Sequence, residues 1–298
     1  MEETEQAPGS FGPPAAEQVA HPPEELLHTG NAGLVIHRVG QVCYPYRAEA
    51  RSFARDLQFF TNKALHPYAT TLLYEELFGV RDRLHWLIHM RAPNDYARLL
   101  EMVDHNAEFQ QVASGDRMPE RGGGNWERMF VQGSFQERVI VPQHGFTHAD
   151  GDDHDLEGLF AVPARHQTDQ PDDALLHSAN AGVVIHRTGQ VRFEYRKVAR
   201  KLGFDWIGRL NEKLRDRVSA FLYEEQWGTQ DRLHWFVHLR SLDDYRRITE
   251  LEARDPLLRE LTGMEVREGG VPWGAMFLDG TLNDTVLVPH HPAPAVSG

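Results

Sequence analysis

Arg83-Leu84-His85-Trp86-Leu87-Ile88-His89-Met90-Arg91 alternates strictly between two kinds of side chain, and it returns 149 positions later as Arg232-Leu233-His234-Trp235-Phe236-Val237-His238-Leu239-Arg240. Successive side chains of a β-strand point to opposite faces. Trp86, Ile88 and Met90, with Trp235, Val237 and Leu239, therefore make a uniformly apolar row, suited to meeting helices. His85, Leu87, His89 and Arg91, with His234, Phe236, His238 and Arg240, make the other row. Its composition suits a semi-polar cavity better than open water or a dry core.

Outward from these strands the repetition continues. Leu26-Leu27-His28 and Asn31-Ala32-Gly33 return as Leu175-Leu176-His177 and Asn180-Ala181-Gly182. Val35-Ile36-His37-Arg38 returns as Val184-Ile185-His186-Arg187, and Leu73-Tyr74-Glu75-Glu76 as Leu222-Tyr223-Glu224-Glu225. Near the end the offset is 147, with Trp126 and Met129 answered by Trp273 and Met276. Repeats this long are domains rather than solenoid units. The reading is a tail at 1–23, a repeat at 24–145, an acidic linker at 146–174, a second repeat at 175–291 and a tail at 292–298. The first tail is polar and Pro-rich, which predicts disorder, so removing residues 1–22 should leave stability unchanged.

Within a repeat the periodicities alternate. Residues 33–46 are β-rich. Ala50, Phe53, Ala54, Leu57 and Phe60 fall at helical spacing over 48–64. Residues 70–77 form a second strand, and a short hairpin leads into the third. Asn94 and Asp95 could cap a second helix; strand-like residues 126–132 and 139–141 follow. The order β-α-β-β-α-β occurs twice, which is the ferredoxin-like pattern and an α+β class. One such sheet, with helices on a single face, leaves its other face bare, and the second repeat is there to cover it.

Composition narrows the function classes. A net charge of −13 argues against nucleic acid or an anionic membrane as partner. The single cysteine, Cys43, excludes an internal disulfide and fits a reducing, cytoplasmic setting. No basic, apolar leader is evident, and no apolar run reaches ~18 residues. P-loop, dinucleotide-glycine, Cys-x-x-Cys and Gly-x-Ser-x-Gly patterns are missing, so nucleotide hydrolysis, Rossmann dehydrogenation and serine hydrolysis fall away.

The β-α-β-β-α-β order, the His-Trp-x-x-His strand and the Tyr of the following helix resemble the dimeric α/β-barrel superfamily. The NIPSNAP and antibiotic-biosynthesis-monooxygenase branches are the most similar. The resemblance implies two ferredoxin-like units pressed sheet to sheet, here within one chain, working as a monomeric pseudo-dimer or a higher homo-oligomer. It also implies a small-molecule enzyme, a cofactor-independent monooxygenase or cyclase acting on a flat aromatic or polyketide-like substrate. No diagnostic catalytic set of either branch is matched.

The residues themselves offer several chemistries. A neutral His near a carboxylate is a general base, and a nearby Arg stabilises an enolate. His89 with Arg91, His37 with Arg38, and their counterparts His238, Arg240, His186 and Arg187 are candidates, with His85 and His234. If the hairpin closes symmetrically about residue 80, Glu75 faces His85 and Glu224 faces His234. With His37 and His186 on the adjoining strand, the sets His85/His37/Glu75 and His234/His186/Glu224 would suit zinc, iron or manganese. The alternative is a buried polar network. No cofactor is firmly expected; haem held by the same histidines, or a divalent metal, are the alternatives, giving a ligand-binding module or a metal-dependent oxygenase. Trp126 and Trp273 follow glycines and could stack on a flat ligand at a pocket rim, or simply pack in the core. Differences between the repeats (Leu77-Phe78 against Gln226-Trp227, Val39 against Thr188, Pro45 against Glu194) predict unequal sites.

Overall fold

A computed structural model describes residues 12–144, 162–263 and 270–291. The first half runs β1 (Leu34–Gln41), α1 (Arg47–Leu65), β2 (Ala69–Phe78), β3 (Arg83–Met90), α2 (Asp95–His105), α3 (Ala107–Ser114), α4 (Trp126–Met129) and β4 (Gln136–Pro142). The second half runs β5 (Val183–Gln190), α5 (Arg196–Lys213), β6 (Val218–Trp227), β7 (Arg232–Leu239), α6 (Asp243–Arg254), α7 (Pro256–Leu261) and β8 (Asn283–Pro289). The eight strands form one closed antiparallel barrel in the order β1-β3-β2-β8-β5-β7-β6-β4. Residues 126–132, expected as strand, instead form α4 and a single bridge between Phe130 and Val42. Asn125 accepts from the Glu127 N–H and starts that turn, a local cap that outweighs the β-leaning composition.

Each half supplies four consecutive positions of the ring, and the registers repeat: Leu34 opposes Met90 as Val183 opposes Leu239. Two seams join the halves. β2 meets β8, with Glu75 opposite Val288, and β4 meets β6, with Val141 opposite Glu224. Closure leaves no free sheet edge, which removes the usual template for aggregation.

The alternation read from residues 83–91 is realised. Trp86, Ile88 and Met90 are buried beneath α1 and α2 with Phe53, Leu57 and Leu99, and Trp235, Val237 and Leu239 lie beneath α5 and α6. Leu87 and Phe236 point inward, packed with Leu72, Tyr74, Phe221, Tyr223 and Leu287. The barrel interior is thus a third core, built from both halves.

Residues 12–23, expected as tail, are ordered. A 3-10 turn at Ala15–Gln18 places Ala15 fully buried in the interior cluster, and the Gln18 amide both donates to the Leu73 carbonyl and accepts from the Leu73 N–H. Ala164–Gln167, expected as linker, does the same in the other half, with Gln167 on Leu222. A single buried alanine and a glutamine that completes a strand suffice to order a segment whose composition looks solvated. Residues 1–11, the linker's 146–161 and the tail's 292–298 lie outside the described residues.

Two outcomes follow. Residues 24–145 alone would expose the interior face and two seam edges, so the fragment should sediment as a dimer or larger; a stable monomer contradicts the interdependence of the halves. Removing residues 1–22, expected from sequence to be neutral, should instead lower the melting temperature, because it opens the barrel end at Ala15 and strips Leu73 of two hydrogen bonds.

Candidate functional site

The sequence-predicted histidines gather inside the barrel. His37 and His85 meet Nε2 to Nδ1 at 2.9 Å, and His186 and His234 repeat this at 2.9 Å. The His37 and His186 rings meet edge to face at 4.7 Å between centroids, so the four form a string across the barrel. Its ends are Glu76, 3.6 Å from His85, and Glu225, 3.5 Å from His234. With Nε2–H of His85 and His234 directed at these carboxylates, each Nδ1 accepts from the neighbouring imidazole. Glu76 and Glu225 are the acidic residues that sequence reasoning missed, although each stands one place beyond the residue it chose. The observed register sets Tyr74 opposite His85 and Glu75 opposite Leu84. The hairpin is off the assumed symmetry by one residue, and one residue exchanges the faces of a strand.

Glu75 consequently sits on the outer face, paired with Arg51 and His290, while Glu224 pairs with Arg200 and Gln143. Neither proposed metal set is assembled. The carboxylates are on the wrong face, and each His–His pair already holds a hydrogen bond along the line an ion would need. A haem iron would also require a histidine nitrogen facing open space, and the interior around these rings is filled by Leu87, Tyr74, Phe236 and Tyr223.

His89 and His238 stand four residues further along β3 and β7. His89 Nδ1 stands 3.2 Å from the Thr70 carbonyl, which can only accept, so Nδ1 carries the proton and Nε2 accepts from Ser178 Oγ at 2.9 Å. His238 uses the Ser219 carbonyl at 3.1 Å and Thr29 Oγ1 at 2.9 Å in the same way. Thr29 and Ser178 also exchange N–H to Oγ hydrogen bonds at 3.1 and 3.0 Å, which clasps one half to the other. Both histidines are fully buried, and desolvation holds their pKa down at about 3. Desolvation likewise lowers His37, His186, His85 and His234, the last two against the opposing pull of their glutamates. Arg91 and Arg240 do not join them. Both are exposed at strand ends, Arg91 over the Tyr68 ring and Arg240 on the Asp216 carbonyl.

Space for a ligand lies instead on the other face of the first half's sheet. A cavity of about 370 Å³ opens between the sheet and helices α1, α2 and α3. Phe53 and Leu57 come from α1, Leu99, Met102 and Val103 from α2, Phe109 and Ala113 from α3, and Ile88 and Phe135 from the sheet side. Trp126, half-buried and edge-on to Phe135 at 5.3 Å, closes one wall. Polar groups are few: Arg38, ion-paired with Glu137, together with Thr61 and Gln110. Glu137 and Gln110 reach solvent and mark the mouth. Among the sequence-predicted residues, Arg38 and Trp126 belong to this pocket. Glu137, on β4 opposite Arg38, was missed because its partner is a strand about a hundred residues away.

The second half fills the same place. Trp206 stands where Leu57 stands, and it is buried. Its indole lies 6.1 Å from Trp273, donates to Glu252 Oε1 at 3.0 Å and has the Arg187 guanidinium 5.0 Å from its ring. Arg187 is held by Asp284 through two hydrogen bonds of 2.7 and 2.8 Å. The halves are unequal, though at a helix position rather than at the strand ends where the sequence differences drew attention.

The closed barrel with external helices is the architecture of the dimeric α/β barrels. The chain belongs to a family described as of unknown function (DUF6039), whose model matches residues 3–295. Comparison with curated proteins gives no match. Among solved structures, a candidate monooxygenase of Fusobacterium nucleatum shares 11% identity over 89% of this chain and 93% of its own, with a TM-score of 0.50. A second candidate monooxygenase, from Lactobacillus acidophilus, shares 8% over 86% and 92%, also at 0.50. A chlorite dismutase of Candidatus Nitrospira defluvii shares 12% over 87% and 92%, at 0.46. At these identities the likeness is one of fold.

The buried histidines set a pH dependence. With folded pKa values depressed below 6.5, their stabilising neutral state is complete above that value and is progressively lost as pH falls toward about 3. Each of His89 and His238 should cost on the order of 2–3 kcal/mol by pH 4.5. Denaturant melts between pH 7 and 4 should slope less steeply in His89→Gln, whose amide cannot be protonated. A parallel slope would contradict the assignment.

Proposed function

We propose that the chain is an internally duplicated, fused dimeric α/β barrel of two ferredoxin-like units. In this reading it works as a cytoplasmic monomer on a flat, largely apolar small molecule, bound in the pocket beneath α1, α2 and α3. One observation carries this reading: an apolar cavity of about 370 Å³ whose lining includes the Arg38–Glu137 ion pair. Such a volume suits a small ligand of a few fused rings. The same superfold, with two candidate monooxygenases among its structural relatives, supports an oxygenase or cyclase chemistry.

The mechanism is proton abstraction from an acidic carbon. Glu137 takes the proton, and the electron pair left on carbon spreads onto the substrate carbonyl, giving an enolate that Arg38 holds by charge. In monooxygenation dioxygen is the oxidant: a methylene and O2 become a ketone and water. Apolar walls from Phe53, Leu57, Met102 and Trp126 exclude water from the anion. The barrel histidines hold the scaffold and take no step, since they are buried away from this pocket.

Anthrone, a flat carbon acid, tests the reading. Wild type should accelerate exchange of its methylene protons with D2O, and Glu137→Gln should reduce that at least ~10²-fold while still binding anthrone. Leu57→Trp, which copies the second half, should abolish binding and leave the fold intact. Binding without exchange in the wild type would make the chain a ligand-binding module; no binding of anthrone or smaller aromatics would overturn the pocket assignment.

A further inference from the structure

The segment that plugs the barrel in the first half carries two residues that its counterpart lacks, and the residue after α1 is a third such difference. Gln18 and Gln167 make the same hydrogen bonds in the two halves, so the plugs correspond without a gap. Three places beyond Gln167, the second half has Gln170, which donates to the Asn211 and Val218 carbonyls and accepts from Ser219 Oγ. That buried amide fastens the plug to the end of α5 and the start of β6. The first half has His21 at this position. Ala174 is matched by Glu25, and Arg215, just after α5, by His66, just after α1. All three differences place metal-binding side chains where the other half has none.

They also converge. His21 and His66 stack with ring centroids 3.8 Å apart, and His66 Nε2 lies 3.3 Å from Glu25 Oε2. One ligand atom from each residue lies within 4.8 Å of the others. Among the described residues this is the one group of three or more His, Cys, Asp or Glu side chains that meets that condition. Ligand atoms around a tetrahedral zinc stand ~3.3 Å apart, a distance these side chains reach by small torsional changes. The two histidines are half-buried and Glu25 is exposed, so an ion can enter and a water can complete four-coordination.

We propose that His21, Glu25 and His66 form a divalent transition-metal site, zinc by the chemistry of two imidazoles and one carboxylate, which fastens the N-terminal plug to the end of α1. It takes the place of the Gln170 fastening and is separate from the small-molecule pocket. Binding an ion to the folded state alone also raises stability.

The full-length protein, freed of metal by chelation and dialysis, is titrated with zinc against a chromophoric chelator, and with cobalt by visible absorption. One equivalent should bind with a dissociation constant in the micromolar range or below, with the intense cobalt bands of a four-coordinate site and a raised melting temperature. Glu25→Gln, and the His21→Gln, His66→Arg pair that installs the second half's residues, should weaken binding at least 100-fold and remove the melting shift. Far-ultraviolet circular dichroism of the metal-free variants shows whether they fold; Glu25→Gln, at an exposed side chain, keeps the test decisive if the pair does not. No stoichiometric binding in the wild type, or binding in Glu25→Gln and the paired variant as tight as in the wild type, would overturn the site.

Discussion

Everything in this molecule depends on closing two half-barrels around a shared interior. Each four-stranded half has helices on one face only, so its other face must find a partner. The partner here is tethered, and the seams β2–β8 and β4–β6 complete the backbone pairing. What makes the closure specific is the clasp at one end, where Thr29 and Ser178 trade backbone hydrogen bonds and each reaches a histidine. Leaving one such buried group unpaired costs ~1–3 kcal/mol, so a shifted register would be penalised at several groups together.

The histidines of this clasp are therefore bound to the two hydroxyls and to backbone carbonyls. For His89 and His238 desolvation outweighs every favourable contact, and a neutral, doubly hydrogen-bonded ring with no access is a poor base for any substrate. His85 and His234 are nearer to being useful because Glu76 and Glu225 oppose the desolvation, yet they face each other's halves rather than a cavity. The space open to a ligand lies on the helix side, where α1, α2 and α3 leave a cavity over the sheet.

The two helix sides differ. In one, Leu57 leaves an apolar pocket beside Arg38; in the other, Trp206 fills it, and Arg187 lies over that indole. The filled half gains an indole–carboxylate hydrogen bond and aromatic contacts, while the open half keeps room for a ligand. The plugs diverge as well, with Gln170 in one half and His21 in the other.

The amino-acid sequence alone determined the strand that faces two ways, the self-similarity of the halves, most of the helix–strand order and the inward positions of His85, Leu87 and His89 with their counterparts His234, Phe236 and His238. These follow from period-two and 3.6-residue patterns and from self-similarity, all of which are local. It also pointed to Arg38 and Trp126, though without saying which cavity they would share. Tertiary structure decided the rest. A one-residue difference in hairpin register, invisible in the periodicity, turned Glu75 outward and brought Glu76 to His85. The pairing of β1 with β4 placed Glu137 on Arg38 from far along the chain. A solvated-looking N-terminal segment became a plug because one alanine fits a barrel end that exists only once both halves have closed.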